Sequence, residues 1–295
     1  RGRGGLTGAL IILGLVIILP GLALLAFCSV TDHFVSSRQG GALIDNLERI
    51  ISNAANGMDD IDFSGVNGSY YNYADSGSYL AAEGAVEVEA ARGLEINWVS
   101  GTVTIRGYEG DCIRFEESAG DHTLSSNQRL HYLLRDGKLY IQFCAAGLNQ
   151  LIDNSKQLEL LIPYDAMPEV MAISTVSAEI ALSGISAGKA DIDTVSGYAE
   201  LLDCAFDQLG MNSVSGGLRL DAAQLPQHCD LDTVSGDMTL ALPAGSGFRA
   251  EMDTVSGDLS CDFDGIWHKD SITCNGGGAE ITLNSVSGDA RIVIR

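Results

Sequence analysis

Between Ala190 and Leu202 apolar and polar residues take turns. Ala190 and Ile192 alternate with Asp191 and Asp193, a Ser196-Gly197 turn follows, and Ala199 and Leu201 resume the alternation around Glu200. Asp230–Leu242 has the same arrangement, with Leu231 before its Ser235-Gly236 turn and Met238, Leu240 and Leu242 after it. A period of two, interrupted by glycine, predicts short strands with one buried face. The 3.6-residue period of an amphipathic helix is absent from these repeats.

The turn phrase itself recurs. It reads Ser174–Ala178, Asp193–Gly197, Asn212–Gly216, Asp232–Gly236, Asp253–Gly257 and Asn284–Gly288, each centred on Val-Ser. The valines Val176, Val195, Val214, Val234, Val255 and Val286 are 19, 19, 20, 21 and 31 residues apart. An earlier copy around Val99, Asn97-Trp98-Val99-Ser100-Gly101, lies 77 residues before Val176. A fixed period near 20 marks a stacked repeat architecture. One such unit cannot bury its own apolar face, so copies must stack at strand spacing, about 4.8 Å. The expected fold is therefore all-β, a β-solenoid or β-helix-like stack of repeats of about 19–21 residues. Stacking predicts an inward column of Val176, Val195, Val214, Val234 and Val255, with hydroxyl columns beside it. One hydroxyl column is Thr194, Ser213, Thr233 and Thr254, and another is Ser196, Ser215, Ser235 and Ser256. The glycine after each serine is expected to supply a tight corner or a positive φ.

The N-terminal part has a different pattern. Leu6–Phe27 is 22 residues without a charge, long enough to cross a hydrocarbon core of about 30 Å as a transmembrane helix. Arg1 and Arg3 before it place the N-terminus in the cytoplasm and the bulk of the chain outside. A cleaved signal peptide is the competing reading, but the run is long for one and no small-x-small site follows it. Leu43, Ile44, Leu47, Ile50 and Ile51 mark one face of a short amphipathic helix over Ala42–Ala55, suited to capping the stack. Gly57–Ser78, rich in Gly, Ser, Asn and Tyr, reads as a linker. The expected organisation is an anchor over residues 1–28, a juxtamembrane segment with the short helix and linker over 29–78, and the β domain over 79–295.

Charge narrows the partners. The net charge of −22, from 17 basic and 39 acidic residues, argues against nucleic acid and against anionic lipid headgroups. Carboxylates recur beside the phrase, at Asp193, Asp232 and Asp253 before the threonine and at Asp237, Asp258 and Asp289 after the glycine. A structural corner explains them, and calcium bridging stacked carboxylates is the sharper alternative. No cofactor is expected. Seven cysteines in a chain read as extracytoplasmic permit disulfides. Cys261 and Cys274 flank the stretch that lengthens the last period, and Cys112 and Cys144 end neighbouring strand-like segments, so both pairs are candidate bridges. His33, His122, His131, His228 and His268 are scattered, and neither a Gly-x-Ser-x-Gly elbow nor a His-Glu-x-x-His motif occurs. No catalytic residue is expected.

Gly93–Gly107, the Glu116-Glu117 that follows, Leu158–Pro163 and the Asp-Thr-Val-Ser-Gly-Asp repeats together resemble one family. It is the bacterial β-strand-repeat family of putative adhesins, a domain of unknown function, and the resemblance covers roughly residues 79–295. It implies a β-solenoid at the cell envelope, here a membrane-anchored member, and supplies no catalytic motif. The chain departs from the family phrase at Ala178, where glycine is expected, and in the insertion Asp262–Thr273. The function expected is a non-catalytic surface module. It would be anchored in the membrane through one N-terminal helix and bind an envelope glycan or protein. The alternative is an extracytoplasmic sensor or accessory of an envelope signalling system.

Overall fold

The computed structural model describes residues 71–148 and 156–295. Leu6–Phe27 and Ala42–Ala55, the expected membrane and amphipathic helices, lie outside the described residues. Among the described residues no helix is long and apolar enough to cross a membrane.

The strands follow the alternation. β1 (Leu80–Ala81) and β2 (Gly84–Glu87) precede the long β3 (Gly93–Tyr108). β4 (Cys112–Ser118), β5 (His131–Arg135), β6 (Lys138–Gln142), β7 (Gln157–Pro163) and β8 (Val170–Ser183) come next. β9 (Ser186–Thr194), β10 (Ala199–Ser213), β11 (Leu218–Gln224), β12 (His228–Ser235), β13 (Met238–Leu242) and β14 (Phe248–Ser256) carry the regular repeats. β15 (Leu259–Cys261), β16 (Gly265–His268), β17 (Ser271–Cys274), β18 (Ala279–Ser287) and β19 (Ala290–Ile294) follow.

These strands stack as flattened coils with two parallel faces. The first face runs β6, β3, β8, β9, β10, β12, β18, β14. The second runs β7, β3, β8, β10, β11, β13, β19, β15. β3, β8 and β10 serve both faces because each bends in mid-strand. Inward side chains form columns at matching register. Ile96, Ile173, Ile192, Met211, Leu231, Leu283 and Met252 line one face, and Ile105, Leu182, Leu201, Leu220, Leu240 and Ile292 the other. They belong to one continuous core.

The stacking order is not the chain order. At the C-terminal end the Val286 coil, β18 and β19, lies between the Val234 coil and the Val255 coil. At the other end the coil of β6 and β7 lies outside β3, which precedes it in the chain. Each outermost coil carries antiparallel strands. β5 pairs with β6 and β4 with β7 at one end, and the β16–β17 hairpin pairs with β14 at the other.

The corner valines occupy a different place from the one expected. Val195, Val214 and Val234 are buried, but in a small cluster of their own, with Val176 and Val286 packed against it. The residues before the valines of this cluster, Thr175, Thr194, Ser213, Thr233 and Ser285, are buried as well. In this cluster Val286, not Val255, follows Val234; Val255 ends the series and is partly exposed. Val99 is buried in the main core. The corner glycines are required by close approach rather than by a shared positive φ. A Cβ on Gly197 would lie 2.0 Å from the Ala178 carbonyl oxygen, and one on Gly216 would lie 1.9 Å from that of Gly197.

Tyr71–Ser78, expected in a linker, packs on the β domain. The Tyr71 ring is buried, and its hydroxyl donates to Gln142 Oε1 at 2.6 Å and accepts from the Phe143 N–H at 3.2 Å. Tyr73 packs edge-on against it, with ring centroids 5.6 Å apart.

Candidate functional site

The repeated polar residues bond from coil to coil. Thr194 Oγ accepts the Gly197 N–H at 2.8 Å, Ser213 Oγ accepts the Gly216 N–H at 2.6 Å, and Thr175 donates to Thr194 at 2.9 Å. The side chain thus closes its own corner, as Ser and Thr do in turns. One residue earlier runs a second ladder: Asn97, Ser174, Asp193, Asn212, Asp232, Asn284, Asp253. Asn212 Nδ2 donates to Asp193 at 2.8 Å and Asn284 Nδ2 donates to Asp232 at 2.6 Å. Burial pushes the Asp193 carboxyl up to about 6, against the pull of the Asn212 hydrogen bond. After the glycine, Asp237 accepts the Asp289 N–H and Asp289 accepts the Asp258 N–H, each at 3.0 Å. Among the described residues no group of three or more His, Cys, Asp or Glu is placed to hold a metal ion.

A buried charge cluster lies towards the N-terminal end of the described β domain. Lys156 and Glu117 are both almost completely buried, with Nζ 2.9 Å from Oε2. Nζ also donates to the carbonyls of Gln128 and Phe143 and lies over the rings of Trp98 and Phe143, at 5.0 and 4.4 Å. Burial lowers the Lys156 pKa, and Glu117 opposes that shift. Two carbonyl acceptors and the ion-paired carboxylate thus surround the ammonium group. That is a structural cation rather than a nucleophilic amine. Glu117 also accepts the Leu130 N–H at 2.8 Å. It lines a groove of about 310 Å³ with Thr104, Arg106, Ser118, Gln157 and Glu159, across which Arg106 and Glu159 are ion-paired. No motif flagged Lys156, because a lone lysine carries no sequence signal.

The remaining candidates are dispersed. His228 stands 3.7 Å from Glu280, with both largely exposed, and the His131 ring bonds the Arg129 carbonyl at 3.0 Å. His122 and His268 are exposed, and His33 lies outside the described residues. The six described cysteines are thiols. Cys112 sits beside Tyr108, and Cys144 beside Lys156 and Glu117, so these two meet different neighbours. Cys261 and Cys274 do meet. Cys261 pairs with Ile292, Cys274 pairs opposite Phe248, and the two thiols are near enough for Cys261 to raise the Cys274 pKa.

This second end of the stack is the least enclosed. Phe263 packs edge-on against Phe248, with centroids 5.2 Å apart, and plugs the core. The edge beside that plug is open. β17 covers β14 only over Phe248–Glu251, and β15 pairs with β19 alone. Thr254 and Val255 are partly exposed, whereas Thr194 and Val195 are 1% and 4% exposed. The expected protruding loop Asp262–Thr273 forms the β16–β17 hairpin, with Ile266 67% and Trp267 48% exposed. From Phe248 to Cys274 there are six acidic residues, Glu251, Asp253, Asp258, Asp262, Asp264 and Asp270, against two basic ones, Arg249 and Lys269.

A family model described as Toastrack DUF4097 matches residues 86–293. No curated protein matches the chain. Two solved structures are similar to it. A putative cell adhesion protein from Clostridium sporogenes has 16% identity and a TM-score of 0.39, covering 72% of this chain and 99% of that one. A putative adhesin from Bacteroides fragilis has 9% identity and a TM-score of 0.36, covering 72% of this chain and 96% of that one.

Proposed function

The chain belongs to the Toastrack DUF4097 family, and from that premise we propose that it is a non-catalytic binding module of the cell envelope. In this reading Leu6–Phe27 anchors it in the membrane and the β domain stands outside, where it meets an envelope glycan or protein. The observation that carries the non-catalytic part is the use made of the repeated polar side chains. Thr194, Ser213, Asn212 and Asn284 spend their hydrogen bonds on the neighbouring coil or their own corner, which leaves two long regular faces and, among the described residues, no converging acid, base and nucleophile. Such faces suit recognition by surface rather than by cleft.

Two experiments test the reading. The purified chain is screened against wall polysaccharides and envelope proteins, for binding and for hydrolase or lyase turnover, with and without calcium. Saturable binding without turnover supports it. Turnover abolished by one His or Asp substitution that leaves the fold intact overturns it. Protease added to intact cells tests the location. Degradation of the β domain is expected, and protection until lysis rules out the outward orientation.

A further inference from the structure

We infer that the open edge at the Val255 end of the stack, Asp253–Cys261, is a docking site for an extended basic segment of a partner protein, taken up as an added β-strand. The inference rests on the binding-module reading and gives it a place and a partner class.

Every interior coil has a neighbour on both sides. The Val255 coil has β18 and β19 on one side. On its other side the hairpin stops early: the last contact is the Met252 N–H donating to the Asp270 carbonyl at 2.9 Å. Beyond that point β14 and β15 have no strand partner on this side among the described residues, which leaves a template for another strand. The usual guards of such an edge are lysine, proline or a covering loop. Asp253-Thr254-Val255-Ser256-Gly257-Asp258-Leu259-Ser260-Cys261 contains neither lysine nor proline. Its only charges are two carboxylates, which repel acidic chains and admit basic ones.

Charge also decides against a second copy of this chain. Its net charge is −22, and a two-fold edge contact would bring the acidic ends together. The ladder adds a chemical preference. Asp232 lies between two amides, Asn212 and Asn284, whereas Asp253 has Asn284 on one side and an empty position on the other. A lysine ammonium or an amide on an incoming strand supplies the missing donor. Burial, then the nearby Asp270 carboxylate, raises the Asp253 pKa against the pull of Lys269, and Lys269 is itself ion-paired to Asp270 at 2.7 Å, so a further cation at Asp253 meets a net excess of carboxylate. Ile266 and Trp267, exposed on the adjoining hairpin, offer apolar contact to the side chains that alternate with the lysines.

The test uses the full chain and three synthetic nine-residue peptides. One alternates lysine and valine, one is the same peptide N-methylated at alternate backbone amides, and one alternates glutamate and valine. The unmodified lysine peptide is expected to bind. The N-methylated peptide should bind roughly tenfold or more weakly, because it keeps the charge and loses the ladder hydrogen bonds. The glutamate peptide should not bind. A photo-crosslinker on the lysine peptide should label Asp253–Cys261 and the β16–β17 hairpin. The substitutions Asp253→Lys and Asp258→Lys should each weaken binding by a similar factor. The peptide comparison is made on the unaltered chain, so it decides the matter even if a variant fails to fold. Equal binding of the methylated peptide, labelling elsewhere, or no binding of the lysine peptide overturns the inference. If the chain still binds an envelope polymer in the wider screen, the binding-module reading survives that failure.

Discussion

Asn284 Nδ2 donates to Asp232 Oδ1 at 2.6 Å, although the two residues are 52 positions apart and a whole coil separates them in the chain. In chain order the ladder position reads Asp193, Asn212, Asp232, Asp253, Asn284, with two carboxylates in succession. In stacking order Asn284 moves between Asp232 and Asp253, and acid alternates with amide throughout. Two buried carboxylates at strand spacing would repel strongly, whereas an amide between them donates to one and separates both.

Asn284→Asp should therefore destabilise the domain by about 2–3 kcal/mol at neutral pH, since it removes a buried donor and lines up three acids. Urea unfolding measures it. The loss should shrink at acidic pH as the carboxylates protonate. Equal loss at both pH values would mean that repulsion is not the cause.

Asp193 gives a pH dependence of its own. Its carboxyl is raised from the ordinary 3.8 to about 6, so the folded state binds the proton more tightly than the unfolded chain does. This contribution to stability is complete below about pH 4, is lost as the pH rises to about 6, and is flat above that. Asp193→Asn should abolish that slope and stabilise the protein at pH 7 by on the order of 2 kcal/mol. Thermal unfolding across that pH window checks it, with Asp191 and Lys189 left in place as the nearby charges.

Lys156→Met leaves the buried Glu117 with Arg129, 3.5 Å from Oε1, as its one remaining cation among the described residues. The expected cost is about 3–5 kcal/mol. Adding Glu117→Gln to that variant should recover part of it, and a double-mutant cycle by denaturant unfolding separates the pair from the packing of the lysine stem on Trp98 and Phe143.

The valine cluster discriminates position in the stack from position in the repeat. Val214→Asp places a charge among Val195 and Val234 and should prevent folding or cost about 4 kcal/mol or more. Val255→Asp, in the same phrase at the partly exposed end, should cost about 1 kcal/mol. Equal effects in a melting assay would refute the end placement of the Val255 coil.

Cys261 and Cys274 should form a disulfide when the chain is treated with a small disulfide oxidant, joining the last coil to its hairpin. Cys112 and Cys144 should not. Burial first, and then Cys261, pushes the Cys274 thiol up to about 12, so the reaction should be slow at neutral pH. Peptide mapping after alkylation identifies the bond, and oxidation should raise stability by roughly 2–3 kcal/mol. Alkylation of both residues after oxidation would exclude it.

Much of the architecture was legible in the residues. Alternation around each Ser-Gly turn marked the strands, and the valine spacing marked the stack. The direction of the valines was not legible. A bend at the corner breaks the period of two, so the consecutive Thr194 and Val195 are both buried, the first closing its own corner through Gly197 and the second in the corner cluster. The order of the coils was not legible from spacing either, because a period counts residues and says nothing of which copy lies beside which. The amides held that signal: Asn284 restores an alternation that Asp232 followed by Asp253 breaks. Tyr71 was hidden for another reason. Its segment has the composition of a linker, and only the distant Gln142 and Phe143 give its ring and hydroxyl a buried place.

The interleaved C-terminal coil also bears on timing. During synthesis the Val255 coil emerges while the Val286 coil is still unmade, and its natural resting place would be directly on the Val234 coil. There Asp253 would face Asp232 with no amide between them. The same pair of charges that the finished stack keeps apart would thus discourage premature closure and hold a slot for β18 and β19. Once those strands enter, they have a partner on each side. The coil made later becomes a wedge between two made earlier, and peeling it away means opening two strand interfaces on each face instead of one.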